Sequence, residues 1–370
     1  MSKNIPEIPF TELVERVSRL ARVSESTFEK VRGVIQDVAI REIPSKYDWN
    51  FLLVSSGVVT TPEYKTGTCS VNTDATAVTF SSDVALTAGF TGRKIKFTSN
   101  DAVYDFTFSN ATGGTIRPAL QGTTNISNGS YTIFQPVYAL ANDFDRFPKD
   151  GGLYLWQGGS RKYLEEDSYR DFSDNFASSP GTPDRLRIIG ADTTNTLLFE
   201  LNPAPNSQIF IGYDYYKRLR PLFETTQGLI LSISANATVV TGHTTTRFAE
   251  AQTGDWFRVD ALGKGPDSLW YRIIAIANDS SLTLQSAFAN TAITSSANYT
   301  IARAPEMPAF MHPAVLYGTL RQLTIDQNDP NAAFYHQQYG EVLSDGKRLF
   351  VTRTYSKDIH TIAEEYWYRY

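Results

Sequence analysis

The chain has 370 residues, 41% hydrophobic and 13% aromatic, with a formal net charge of −5 from 34 basic and 39 acidic side chains. This length admits two or three compact units, the single cysteine, Cys69, excludes an intrachain disulfide, and the acidic balance argues against a protein that grips nucleic acid non-specifically. The opening residues lack a basic-then-apolar signal, and no apolar run approaches the roughly 20 residues of a membrane-spanning helix.

Residues 8–43 read as two helices. Leu13, Val17 and Leu20 recur at helical spacing; Ser26 and Glu29 have the spacing of a capping box, followed by a stripe of Phe28, Val31, Ile35 and Val38. Pro44 is expected to stop the second helix. The run from Trp49 to Val54 reads as a first strand or a packing segment. Residues 1–65 thus form an N-terminal helical part of a core.

Residues 66–137 then read as a small β-module. Arg93–Phe97 and Tyr104–Phe108 alternate polar and apolar residues, as half-buried strands do. Residues 138–227 form a central β-rich part, with strand-like runs at Leu186–Ile189, Leu197–Leu201 and Ile209–Tyr215, expected to make an antiparallel meander. Residues 228–303 repeat the first module. Ser70–Thr79 aligns with Ser232–Thr241 at an offset of 162, which holds to Gly92 and Gly254; the match resumes at 168, with Tyr131–Ile133 against Tyr299–Ile301. The added residues are placed in the turn-rich stretch Gly263–Ser268. Both modules read as insertions that could be removed by joining their ends. Residues 304–346 carry two closing helices, one starting at Pro313 with Leu316, Leu320 and Leu323 on one face, the other with Tyr335, Tyr339 and Val342 and a stop at Gly346. Residues 347–370 form an aromatic, charged C-terminal arm.

The fold class expected is therefore α+β: terminal α-helices packed as a helical bundle, a central antiparallel β-meander, and two homologous β-modules inserted between.

The residues that carry chemistry point away from catalysis. His243, His312, His336 and His360 have no metal-ligand spacing, and a nucleophile elbow, a phosphate loop and a dinucleotide fingerprint are absent from the sequence. No catalytic residue, cofactor or metal is expected. The Asn-X-Ser/Thr triplets at Asn110, Asn125, Asn128, Asn236, Asn278 and Asn298 read as turn residues. The basic, aromatic stretch Tyr213–Pro221 fits phosphate contact or a subunit interface. The acidic chain favours the interface, with Tyr213, Tyr215, Arg218 and Arg220 as its candidates. In the C-terminal arm, Arg353, Tyr355, Ile359, Ile362, Tyr366, Trp367, Tyr368 and Tyr370 are candidates for partner contact.

Three local patterns carry a resemblance. One is Ile40–Ile43 ahead of Trp49–Phe51. Another is Pro183–Ile189, followed by Leu198–Pro205 and Tyr213–Tyr216. The last is Met307–Val315, leading into helices with Asp326 to Tyr339. The layout resembles the head-to-tail adaptor proteins of tailed bacteriophages, also called connector or head-completion proteins. The resemblance implies a non-enzymatic structural virion protein of the neck, made in the host bacterial cytoplasm. It would form a ring, usually of twelve copies, docked to the portal protein. The ring would give tail, nozzle or fibre proteins their attachment platform, with double-stranded DNA passing through its lumen and no membrane partner. The arm 347–370 would be its portal-docking segment. The competing readings are a tail-fibre or baseplate-associated β-module protein for host attachment, and a carbohydrate-binding protein or hydrolase.

Overall fold

The computed structural model describes residues 7–22, 27–157, 159–174, 177, 179–243, 246–260, 269–294, 296–325 and 329–351. Its helices are α1 (Phe10–Leu20), α2 (Phe28–Asp37), α3 (Ile43–Lys46), α4 (Tyr169–Asp174), α5 (His312–Ile325) and α6 (Ala332–Phe350). The chain divides into two compact units, Met1–Phe51 with Leu219–Tyr370, and Leu52–Arg218. Helices at both ends of the chain, antiparallel sheets between them, and an α+β class agree with the sequence.

In the first unit the terminal helices meet. α1 packs on α2 and α5, α2 on α5, and α5 on α6. Leu13, Val17, Val31, Ile35, Val315 and Leu320 are fully buried on their facing stripes. Pro44 does not stop the second helix. A single π turn, Val38–Glu42, continues α2 into α3 through the bond from Ile43 N–H to Val38 O, and Pro44 lies in the first turn of α3. Ser26 of the capping box lies outside the described residues. Gly346 is not a helix stop either: α6 runs on to Phe350, and Gly346 is buried where a Cβ would come within 3.1 Å of the Met311 side chain and 3.3 Å of the Trp49 ring. It permits close packing within the bundle rather than a change of chain direction. Lys347–Phe350 therefore belong to α6, not to the arm.

The duplication is real in three dimensions. In the first module the strands lie in the order Ile126–Gly129, Cys69–Val71, Ala77–Phe80, Gly113–Arg117, Val103–Asn110, Arg93–Phe97, Tyr131–Phe134. In the second the order is Ile230–Ser232, Val239–Gly242, Ser281–Leu284, Tyr271–Asn278, Trp256–Val259, Tyr299–Ala302, Glu224–Thr225. Six strands correspond one to one, and each sheet encloses its own core. The turns correspond as well. Asp74 and Asn236 hold φ of 59° and 61°, and Gly92 and Gly254 hold 86° and 98°. In each copy the same two backbone bonds cross the closing loop: Asp74 N donates to Leu120 O and Leu120 N to Ala75 O, as Asn236 N donates to Phe288 O and Phe288 N to Ala237 O.

Pairing also shows where the extra residues enter. Ile95 faces Tyr104 and Phe257 faces Tyr271, so the offset has grown from 162 (95 to 257) to 167 (104 to 271) across one loop. Phe106 faces Ile116 while Ile273 faces Leu284, which takes it to 168 (116 to 284). Five of the six residues thus enter before Tyr271. The sixth is a β-bulge at Ile274, where the register slips between Ile273 and Ala275. Residues 261–268 themselves lie outside the described residues.

The second unit joins the first module to a two-sheet core. One sheet has five strands, with the path Leu53–Val59, Phe210–Lys217, Leu153–Gln157, Ser160–Tyr163 and the short strand Phe144–Arg146 also paired with Phe210–Lys217; the other runs Glu165–Glu166, Arg185–Ala191, Leu197–Asn202, Val137–Ala139. Of the three central runs, the first two pair antiparallel with each other, and the third crosses to the sheet begun by Leu53–Val59. One core, including Tyr138, Leu153, Leu186, Phe199, Ile211 and Tyr213, takes side chains from both sheets, the sandwich arrangement.

Candidate interaction surfaces

The sheet Leu53–Val59, Phe210–Lys217, Leu153–Gln157, Ser160–Tyr163 has two unlike faces. Side chains in a strand alternate sides, so its register sorts them. Val54, Val58, Ile211, Tyr213, Tyr215, Leu153 and Leu155 point into the sandwich core. The other face carries Leu53, Ser55, Val59, Phe210, Asp214, Tyr216, Tyr154, Trp156, Arg161 and Tyr163. On this outer face Phe210, Trp156 and Tyr163 are 48%, 54% and 46% exposed.

Two glycines shape that face. A Cβ at Gly57 would meet the Phe210 ring at 2.3 Å, and one at Gly212 would meet the Tyr154 ring at 2.7 Å. The rings therefore lie flat over bare backbone. Arg161 lies over the Tyr154 ring, 4.4 Å from its centre, and donates to Asp214 Oδ2 at 2.9 Å. Ser55 Oγ donates to Asp214 Oδ1 at 2.5 Å. The result is an amphipathic aromatic platform of the kind enriched where proteins meet partners.

This corrects the interface reading of two tyrosines. Tyr213 and Tyr215 are core side chains, on the inward parity of their strand. The Tyr213 hydroxyl accepts from Ala141 N at 2.8 Å, and the Tyr215 hydroxyl donates to Asp143 Oδ1 at 2.6 Å. Arg218 and Arg220 are exposed. Arg218 donates to Phe144 O at 3.2 Å, and Arg220 is tied to Glu306 and Gln252 beside an open depression of about 480 Å³ that Asn278 also lines. The outward residues of the strand are Phe210, Gly212, Asp214 and Tyr216. The glycine and the carboxylate were the sequence signal for the solvent side.

In the helical unit, Glu42 clasps the helices from the two chain ends. It accepts from the Tyr339 hydroxyl at 2.8 Å, from Arg321 Nη2 at 2.7 and 2.9 Å, and from Gln322 Nε2 at 2.8 Å. Burial alone would raise its carboxyl, but Tyr339, Arg321 and Gln322 together hold it below the ordinary carboxylate value. Burial, and then the bond to Glu42, push the Tyr339 hydroxyl upward. His312 is a second tie. Its Nδ1 accepts from Ile8 N at 2.8 Å, which leaves Nε2 to donate to Met307 O at 3.2 Å. Burial pushes this imidazole below its ordinary value, so it is neutral in the fold.

The C-terminal arm has an anchored root. Phe350 stacks on Phe310 at 5.6 Å and meets Phe51 edge-on at 5.8 Å, and Val351 bridges to Trp49. Trp49 is fully buried, with Nε1 donating to Ile43 O at 2.8 Å. The arm candidates Arg353, Tyr355, Ile359, Ile362, Tyr366, Trp367, Tyr368 and Tyr370 lie outside the described residues.

The second module is no loose appendage. Arg258, 2% exposed, pairs with Glu15 of α1 at 3.0 Å and with Asp260 at 3.2 Å, and lies 4.6 Å from the Trp270 ring. Arg303 pairs with buried Asp255 at 2.9 Å, and Glu224 accepts from Thr11 at 2.7 Å and Arg32 at 2.8 Å. At the same strand positions the first module has Lys94 and Lys96 where the second has Trp256 and Arg258. That divergence between copies was the legible sign of a docked face.

Five of the six Asn-X-Ser/Thr asparagines have turn or loop roles. Asn110 and Asn278 accept from the N–H two residues on, at 3.0 and 2.9 Å, and Asn125 accepts from Thr73 N at 2.8 Å. Asn128 and Asn236 adopt positive φ. Among the described residues no group of three or more His, Cys, Asp or Glu is placed to hold a metal ion, and no helix is long and apolar enough to cross a membrane. No protein-family model matches the chain, and no curated protein matches it.

Proposed function

We propose that this protein is a structural component of a tailed-phage virion, a head-to-tail adaptor. Copies assemble into a ring, of about twelve by the resemblance described above, which docks to the portal and presents a platform to tail, nozzle or fibre proteins. The observation that carries the reading is the joining of helices from both ends of the chain in one bundle, clasped by Glu42, Arg321 and Tyr339, with a duplicated β-module inserted in the sequence between them. That arrangement supports the adaptor reading. A helical unit built from the two chain ends, and braced by the second module through the Arg258–Glu15 pair, gives each copy a rigid part to repeat around an axis. The net charge of −5 suits a lumen through which DNA slides. The arm beyond Val351 is assigned to the portal, with its aromatic side chains as anchors.

The test is the mass of the purified protein, alone and mixed with portal rings. The reading predicts ring-sized oligomers that co-sediment with the portal. A monomer that ignores the portal and instead binds cells or polysaccharide would replace it with the host-attachment reading.

A further inference from the structure

The sheet that carries the aromatic platform is unusual at its edges. Leu53–Val59 is an edge strand of seven residues, while every other sheet edge among the described residues is a strand of two to four. Its sequence, Leu-Val-Ser-Ser-Gly-Val-Val, has no charge and no proline. All seven residues pair with Phe210–Lys217 on one side. Proteins blunt sheet edges by making them short, charged or proline-broken, because an open row of N–H and C=O groups recruits another strand. Leu53–Val59 has none of these protections, and Leu53 and Val59 are 41% and 52% exposed.

The opposite edge of the same sheet is its complement. Ser160–Tyr163 is exposed along its whole length and carries Arg161 and Lys162. Antiparallel pairing of this strand with its own copy would set like charges together, whereas pairing with the uncharged edge would not. Direction fits as well. Along the path from Leu53–Val59 to Ser160–Tyr163 each strand runs antiparallel to its neighbour, so these two edge strands run in opposite senses. Copies repeated around an axis along the strands would meet antiparallel, the stronger ladder. Side-chain parity can be kept: Arg161 and Tyr163 then fall on the same face as Leu53, Ser55 and Val59, and the aromatic platform continues from copy to copy.

We infer that Leu53–Val59 of one copy pairs with Ser160–Tyr163 of the next, giving one continuous antiparallel sheet around the ring. The inference rests on the ring reading and names the contact that closes it. The interface is heterologous, with two different patches, as a closed ring requires.

Double-cysteine variants test it. Leu53→Cys/Tyr163→Cys, Ser55→Cys/Tyr163→Cys and Val59→Cys/Arg161→Cys sample three registers that keep the outer faces together, and the native Cys69 is buried and silent. Mild oxidation of the full-length protein is expected to give a ladder of cross-linked dimers, trimers and higher species in one of the three. Leu53→Lys/Val59→Lys, checked for native circular dichroism, is expected to lower the oligomer fraction at least ~10-fold. Cross-linked dimers, and nothing larger, from a Leu53→Cys/Val59→Cys variant, with no ladder in the other double variants, would overturn the inference in favour of a two-fold pairing of identical edges. Ring-sized mass with no cross-link in any register, and no effect of the lysines, would overturn it and leave the ring reading standing. A monomer at every concentration would overturn both.

Discussion

Replacing Glu42 by alanine should loosen the helical unit by about 3 kcal/mol. Four hydrogen bonds converge on this carboxylate from Tyr339, Arg321 and Gln322. Bonds to a charged group are each worth about 1.5–3 kcal/mol on deletion, but they share one acceptor and do not add. Breaking one side of a buried ion pair costs about 3–5 kcal/mol. The lower end applies here, because the Glu42 and Arg321 side chains are 15% and 16% exposed and Arg321 keeps the Tyr339 ring at 4.6 Å. The buried Nε of Arg321 already has no hydrogen-bond partner among the described residues, so the guanidinium has little else to turn to. Urea titration followed by hydrogen exchange of peptides from α2, α5 and α6 reads the loss where it arises. The double variant Glu42→Ala/Arg321→Met should recover about 2 kcal/mol relative to the sum of the single changes, since it leaves no orphaned charge. A cost for Glu42→Ala below about 1 kcal/mol, or strict additivity in the double variant, would refute the idea that this clasp joins the two chain ends.

Other outcomes follow from the same geometry. The folded pKa of His312 lies below its ordinary 6.5, so both states are neutral above that pH. As the pH falls below it, the unfolded chain takes up a proton that the buried ring refuses. Stability should drop by up to about 1.4 kcal/mol per pH unit, and a His312→Gln variant should flatten that limb in denaturation measured from pH 7 to 5. Glu42 acts in a lower window. Its depressed pKa contributes stability above about 4.5 that is lost as the pH falls further. Excising residues 65–132 and closing with a short glycine linker should leave the rest of that unit folded by calorimetry, because Tyr64 and Ile133 already exchange backbone hydrogen bonds at 2.8 Å. Excising residues 226–300 should destabilise the helices by about 3 kcal/mol or more, because Arg303 loses Asp255 in a buried site and Glu15 loses Arg258. Ending the chain after Val351 should keep the helical content in circular dichroism and abolish co-sedimentation with portal rings. Ending it after Gly346 should also loosen α6, since Phe350 and its stacking on Phe310 go with the cut.

Much of this was legible in the sequence, because it rested on local periodicity. The helical stripes of Leu13 and Val17, and of Val31 and Ile35, became the buried faces. The repeat was visible because turn chemistry at Asp74 and Asn236 and core parity at Ile95 and Phe257 must both be kept for a module to fold. What escaped was set by non-local partners. The Tyr213–Tyr216 run is aromatic on both parities, so composition could not say which rings face the core; the sandwich beneath decided it. Gly346 reads as a stop unless Trp49 and Met311 are known to lie against it. A β-bulge at Ile274 and a length change in a loop are indistinguishable by alignment alone. The docking of the second module depends on Glu15, more than two hundred residues from Arg258 in the chain.

The most direct measurement is electron cryomicroscopy of the protein mixed with isolated portal rings. The adaptor account predicts class averages with a second closed ring coaxial with the portal. Bare portal rings beside unassembled protein, at concentrations well above those of a natural assembly, would contradict it.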